Sequence, residues 1–243
     1  MVPDAAEDPA APSSVETAFR DRERGVMAES FRQVRTNVLR RMQQMGHKSL
    51  LVVAGLPGSG ATSTVTNLAY ACASADRRVL VIDANLRRPG LHKIFGLPDS
   101  PGLADVLAGA RSLEDAVQRS ADQRVDVLPA GSREARVYER LSTDAMAALL
   151  RQAGEKYDLI LIDVAPMVVS GDGLGIAQRC DASMLVIRAL SEKRGMVARL
   201  RSELADSKAE LLGVLVNGVK SSAGGYLKGN IRATHEYQTK DAA

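Results

Sequence analysis

Short, nearly continuous apolar runs constrain this chain more than anything else in it. Residues 50–54, 79–83, 125–128, 159–163, 183–188 and 211–217 are each rich in Val, Ile and Leu. A strand with one wet face alternates apolar and polar residues. A run that is apolar throughout reads as a strand covered on both faces, which is the situation in a parallel sheet. Helical patterns fall between the runs, at about 64–75, 144–153, 173–179 and 196–207. Strand and helix in alternation predict an α/β fold, with a mostly parallel central sheet and helices on both faces.

The ends read differently. Residues 1–24 hold Pro3, Pro9 and Pro12 among Ala, Ser, Asp and Glu, with no apolar period. Such a stretch is expected to stay disordered, because it buries too little surface to offset chain entropy. From Met27 the spacing of Phe31, Val34, Val38 and Met42 is helical, and Gly46 stops the run. Residues 221–243, with Gly224, Gly225 and Gly229, read as a flexible tail. A single domain over 25–220 remains. No run reaches 18 apolar residues, and no basic-then-apolar leader opens the chain. Cys72 and Cys180 have no metal-ligand spacing and read as buried thiols of a reducing compartment. A net charge of +3, 3% aromatic residues and no Trp argue against a nucleic-acid partner.

The chemistry concentrates after the first strand. Gly55-Leu56-Pro57-Gly58-Ser59-Gly60-Ala61-Thr62 lies between that strand and a helix. This is the setting of a phosphate-binding loop, whose backbone N–H groups face an anion. The full pattern requires lysine before the Ser or Thr, and Ala61 stands there. Losing a hydrogen bond to a charged group costs about 1.5–3 kcal/mol, or about 10- to 150-fold in affinity. Taken alone, a loop without lysine reads equally as a plain turn. Asp83 and Asp163 each close an apolar strand, the position from which a carboxylate holds Mg²⁺ and its waters.

With these residues in place, the chain resembles the bacterial tyrosine kinases of capsular and exopolysaccharide biosynthesis, relatives of the ParA/MinD P-loop ATPases. Glu29, Arg32 and Arg35, with Thr36-Asn37, fit that family's E-x-x-R-x-x-R helix followed by T-N. Residues 57–63 and Asn67-Leu68-Ala69 fit its loop and helix. Ile82 to Pro89 with His92 fit its I-D-A-D-L-R-R-P segment, and residues 102–109 its G-L-S-D-x-L-x-G segment. Tyr157 to Asp163, Asp172 and residues 213–217 also follow its pattern. The resemblance implies a P-loop NTPase-like fold. ATP and Mg²⁺ would be the cofactors, with nucleotide on Gly55, Pro57, Gly58, Ser59, Gly60, Ala61, Thr62 and Ser63. Thr62, Asp83 and Asp163 would form the metal site, with the two aspartates as catalytic carboxylates. Glu29, Arg32 and Arg35 would make contacts between subunits of a homo-oligomer. The implied partner is a membrane polysaccharide co-polymerase. It would recruit a cytoplasmic chain to the inner membrane, with no membrane contact except through that partner.

The departures bear on activity. Ala61 replaces the loop lysine, Asn85 the second aspartate of the D-A-D segment, and Val164-Ala165-Pro166 the usual Thr-Pro-Pro. The family's C-terminal tyrosine cluster is reduced to Tyr226 and Tyr237. Three losses on one reaction path imply a pseudokinase that regulates polysaccharide synthesis and export. An active autokinase is the alternative, and it needs a substitute cation such as Arg87 or Arg88. A ParA/MinD-type positioning ATPase fits less well, since Leu56 occupies its signature-lysine position. His92 reads as a packing or loop residue. Lys193, Arg194, Arg199 and Arg201 read as the charged face of a surface helix.

Overall fold

The computed structural model describes residues 1–4, 14–21, 25–132 and 137–219. In chain order the elements are α1 (Ala18–Asp21), α2 (Val26–Met45), β1 (Ser49–Ala54), α3 (Ala61–Ala73), β2 (Val79–Asp83), α4 (Leu91–Phe95), α5 (Leu103–Leu107), α6 (Leu113–Ala116), β3 (Gln118–Arg119), β4 (Val125–Leu128), α7 (Val137–Arg140), α8 (Asp144–Lys156), β5 (Leu159–Asp163), α9 (Asp172–Ala177), β6 (Ala182–Arg188), α10 (Arg194–Ala205) and β7 (Glu210–Asn217).

The seven strands form one sheet in the order β3-β4-β2-β5-β1-β6-β7. Every pairing is parallel except β3 with β4. The apolar runs explain this arrangement directly. In β1, Leu50 and Val52 pack on one face with α2 and α3, while Leu51 and Val53 pack on the other with α8 and α10. β2 and β5 divide in the same way, so each strand supplies two cores and needs apolar residues throughout.

The stripe on α2 is buried as its spacing requires, through Phe31, Val34, Val38 and Met42. Gly46 ends the helix in the left-handed region (φ 68°), and the His47 N–H returns to Met42 O at 2.8 Å.

The expectation for residues 1–24 does not hold over its described parts. Val2 is fully buried, and its N–H donates to Val216 O at 2.8 Å on β7. Phe19 is also buried, and its N–H donates to Asn67 Oδ1 at 2.7 Å. Asn67 Nδ2 donates to Val15 O at 2.9 Å and Ser63 O at 2.7 Å. A few apolar side chains and one well-placed amide anchor a stretch whose average composition is polar. The tail expected over 221–243, with Tyr226 and Tyr237, lies outside the described residues.

Candidate nucleotide site

The C-terminal ends of β1, β2 and β5 lie side by side. Asp83 and Asp163 are direct register partners, so two strand-end carboxylates face the loop that leaves β1. That loop turns through Gly58 (φ 79°) and Gly60 (φ 96°), left-handed conformations that favour glycine. At Gly60 there is also no room: a Cβ would stand 2.0 Å from Asn217 Nδ2.

The loop is clamped from the side of β6 and β7. Asn217 Nδ2 donates to Ser59 O at 3.1 Å, and Arg188 Nη1 to Gly58 O at 3.4 Å. Glu192 accepts from the Arg188 N–H at 2.7 Å and from the buried Ser59 hydroxyl. Ser59 Oγ also lies 2.8 Å from Leu56 O. With these carbonyls held outward, α3 starts behind Gly60 without a side-chain cap. Its first-turn N–H groups, from Ala61, Thr62 and Ser63, are the donors that an anion would meet. Gly55 is buried at the loop entry, and Pro57 and Gly58 are exposed.

Thr62 Oγ1 donates to Asp163 Oδ2 at 2.7 Å. The other oxygen, Asp163 Oδ1, is buried with no partner among the described residues. Burial, then the nearby charge of Asp83, pushes the Asp163 carboxyl up to about 8; the Thr62 hydroxyl and the Val164 N–H pull the other way. Asp83 is better satisfied, with two donors on Oδ2 and one on Oδ1. It accepts from the N–H groups of Asn85 (3.2 Å), Gly90 (3.0 Å) and Leu91 (3.0 Å), yet burial still raises its carboxyl above the ordinary range.

This set fits Mg²⁺ in kind. A hydroxyl, an uncommitted buried carboxylate oxygen and a second carboxylate are hard oxygen donors. No group of three or more His, Cys, Asp or Glu side chains suited to a metal occurs among the described residues, so phosphate oxygens and water would have to complete the shell. The fit to a nucleotide phosphate is less complete, because Ala61 brings no cation to the first turn of α3.

The other expected residues are placed as follows. Asn85 Oδ1 accepts from the Arg88 N–H at 3.3 Å, which turns it into its own loop. Arg87 lies over the Tyr138 ring at 4.6 Å and 3.5 Å from Asp172 Oδ2. His92 is partly buried at the start of α4, with Nδ1 buried and unpartnered among the described residues. Glu29 and Arg32 pair at 3.2 Å, and Arg32 lies over the Phe19 ring at 5.4 Å. Arg35 donates to Ala71 O at 3.0 Å and Ser74 Oγ at 3.3 Å. Sequence reasoning missed the clamp of Arg188, Glu192 and Asn217. Its one visible signal is a polar residue closing each of two apolar runs.

A sequence profile described as the AAA domain matches residues 48–179. The chain is 34% identical over 195 residues to the tyrosine-protein kinase YwqD of Bacillus subtilis, covering 80% of this chain and 82% of that one. The chain belongs to the bacterial tyrosine kinase family. Among solved structures, the kinase domain of the Escherichia coli tyrosine kinase ETK matches with a TM-score of 0.81 at 29% identity, over 87% of this chain and 82% of that one. The septum site-determining protein MinD of Pyrococcus horikoshii, solved with Mg-ADP, matches with a TM-score of 0.60 at 25% identity, over 70% of each chain. These likenesses bear out the P-loop NTPase-like α/β fold. Some bacterial tyrosine kinases are far longer: the chain spans 27% of the tyrosine-protein kinase ptk of Acinetobacter johnsonii, with 30% identity. No described helix of this family member is long and apolar enough to cross a membrane.

Proposed function

We propose that this chain is a pseudokinase-type regulator of capsule, exopolysaccharide or adhesin polysaccharide synthesis and export. It works in the cytoplasm as a homo-oligomer, recruited to the inner membrane by a polysaccharide co-polymerase. The observation that carries the reading is Ala61 in the first turn of α3, within an otherwise well-built loop. Any nucleotide that binds would meet backbone donors at its phosphates, with Thr62, Asp83 and Asp163 at its Mg²⁺. Bound Mg-ATP would supply an electrophilic γ-phosphate. The chain's own groups orient it, but no lysine neutralises charge developing there. Asn85 neither accepts a proton nor balances metal charge. Glu29, Arg32 and Arg35 keep enough exposed surface to meet a second copy while serving their own fold.

One observation favours active autokinase chemistry instead. The carboxylate pair and Thr62 are intact, and Arg188 brings a permanent charge to the loop rim. Calorimetric titration with Mg-ATP, beside Ala61→Lys, decides between the readings. No binding by the wild type, with binding restored in the variant, is the expected result. Micromolar binding by the wild type, followed by ATP-dependent phosphotyrosine, would overturn the pseudokinase reading.

A further inference from the structure

At the opposite end of the sheet from the phosphate loop lies a cavity of about 430 Å³. Its wall comes from the starts of three parallel strands and from β3. Arg78 precedes β2, Arg119 closes β3, Arg124 and Asp126 flank the start of β4, and Lys156 and Tyr157 lead into β5. Four cations thus surround one carboxylate. The Tyr157 hydroxyl donates to that carboxylate, Asp126 Oδ2, at 2.7 Å, fixing a polar floor.

The cations are loosely committed. Lys156 Nζ stands 4.0 Å from Asp126 and 5.2 Å from the centre of the Tyr157 ring, and Arg78 3.4 Å from Asp158. A charge-assisted hydrogen bond is shorter, at about 2.7–2.9 Å. Arg124 does reach 2.9 Å, but its partner Asp76 has a side chain 85% exposed, where an ion pair is worth little. Arg119 has no carboxylate within ion-pair distance among the described residues. A ligand with several closely spaced anionic oxygens would displace these contacts and gain better ones. Three guanidinium forks match phosphate oxygens in pairs. The cavity is of small-molecule size and too large for a lone ion.

We propose that this cavity binds a small molecule through a pyrophosphate-type group, at a site separate from the phosphate loop. β2 and β5 run from the cavity to Asp83 and Asp163. Five residues at about 3.3 Å each set the two sites about 16 Å apart. One pyrophosphate group cannot span them.

The test uses the full chain, labelled with ¹⁵N and titrated in low salt without Mg²⁺. Inorganic pyrophosphate is the first probe and a nucleotide sugar (UDP-glucose) the second. The expected result is saturable shifts of the Arg119, Arg124 and Tyr157 amides. Affinity should fall at least tenfold in the double variant Arg119→Glu and Arg124→Glu, whose folding is checked by circular dichroism. Both side chains are exposed, so the variant should fold. Tighter binding of the nucleotide sugar would assign that source, and tighter binding of pyrophosphate the free anion; either supports the site. Shifts confined to residues 55–63, no shift with either probe, or unchanged affinity in the double variant would overturn it.

Discussion

Asp163 carries one oxygen committed to Thr62 and one uncommitted, inside a wall that also holds Asp83. Its carboxyl is raised from an ordinary value near 3.8 to about 8, so the folded state keeps a proton that the unfolded state releases. Stability therefore declines as pH rises between about 4 and 8. Urea unfolding at several pH values should show that slope, and Asp163→Asn should flatten it. Mg²⁺ must meet the ionised carboxylate, so its affinity should climb across the upper part of the same window. Gly60 gives a second prediction. Gly60→Ala meets both a left-handed backbone and the Asn217 amide, and should cost about 2 kcal/mol or more. A lower urea midpoint with unchanged m-value would report it.

Most strand elements were legible because burial on both faces leaves few polar positions to blur a run, Asp126 being one; 79–83, 125–128 and 159–163 match β2, β4 and β5 end to end, while the two-residue β3 showed no run. The short elements were not. α4 to α7 span four or five residues each, too few for a helical period to show, and they follow local turns instead. The site was legible where it lies within one motif, as at Thr62 or Asp83. The clamp was hidden because Ser59 meets Glu192 and Asn217 only through the fold. α1 was hidden by average composition, since a few contacts, chiefly buried Phe19 and the Asn67 amide, fix it. Phe19→Ala should cost about 3 kcal/mol, as a buried aromatic does. Asn67→Ala should cost about 2–3 kcal/mol, because it strands backbone groups of residues 15 and 19. Thermal melts of the two single variants and the double variant should show less than additive losses, since both release the same segment.

Across the whole molecule, the sheet order separates neighbours in space from neighbours in sequence. β1 and β2 flank β5 and never pair with each other. A ribosome adds about 5–20 residues per second, so β5 follows β2 by roughly 4–16 s of synthesis. Throughout that interval the two earliest strands of the site present bare edges, and a nascent chain in this condition is a client for holding chaperones. Translation speed through residues 84–158 therefore bears on yield as directly as any side chain does. Slowing codons there should raise the insoluble fraction, while the same codons placed after residue 217, once β6 and β7 have also been made, should not.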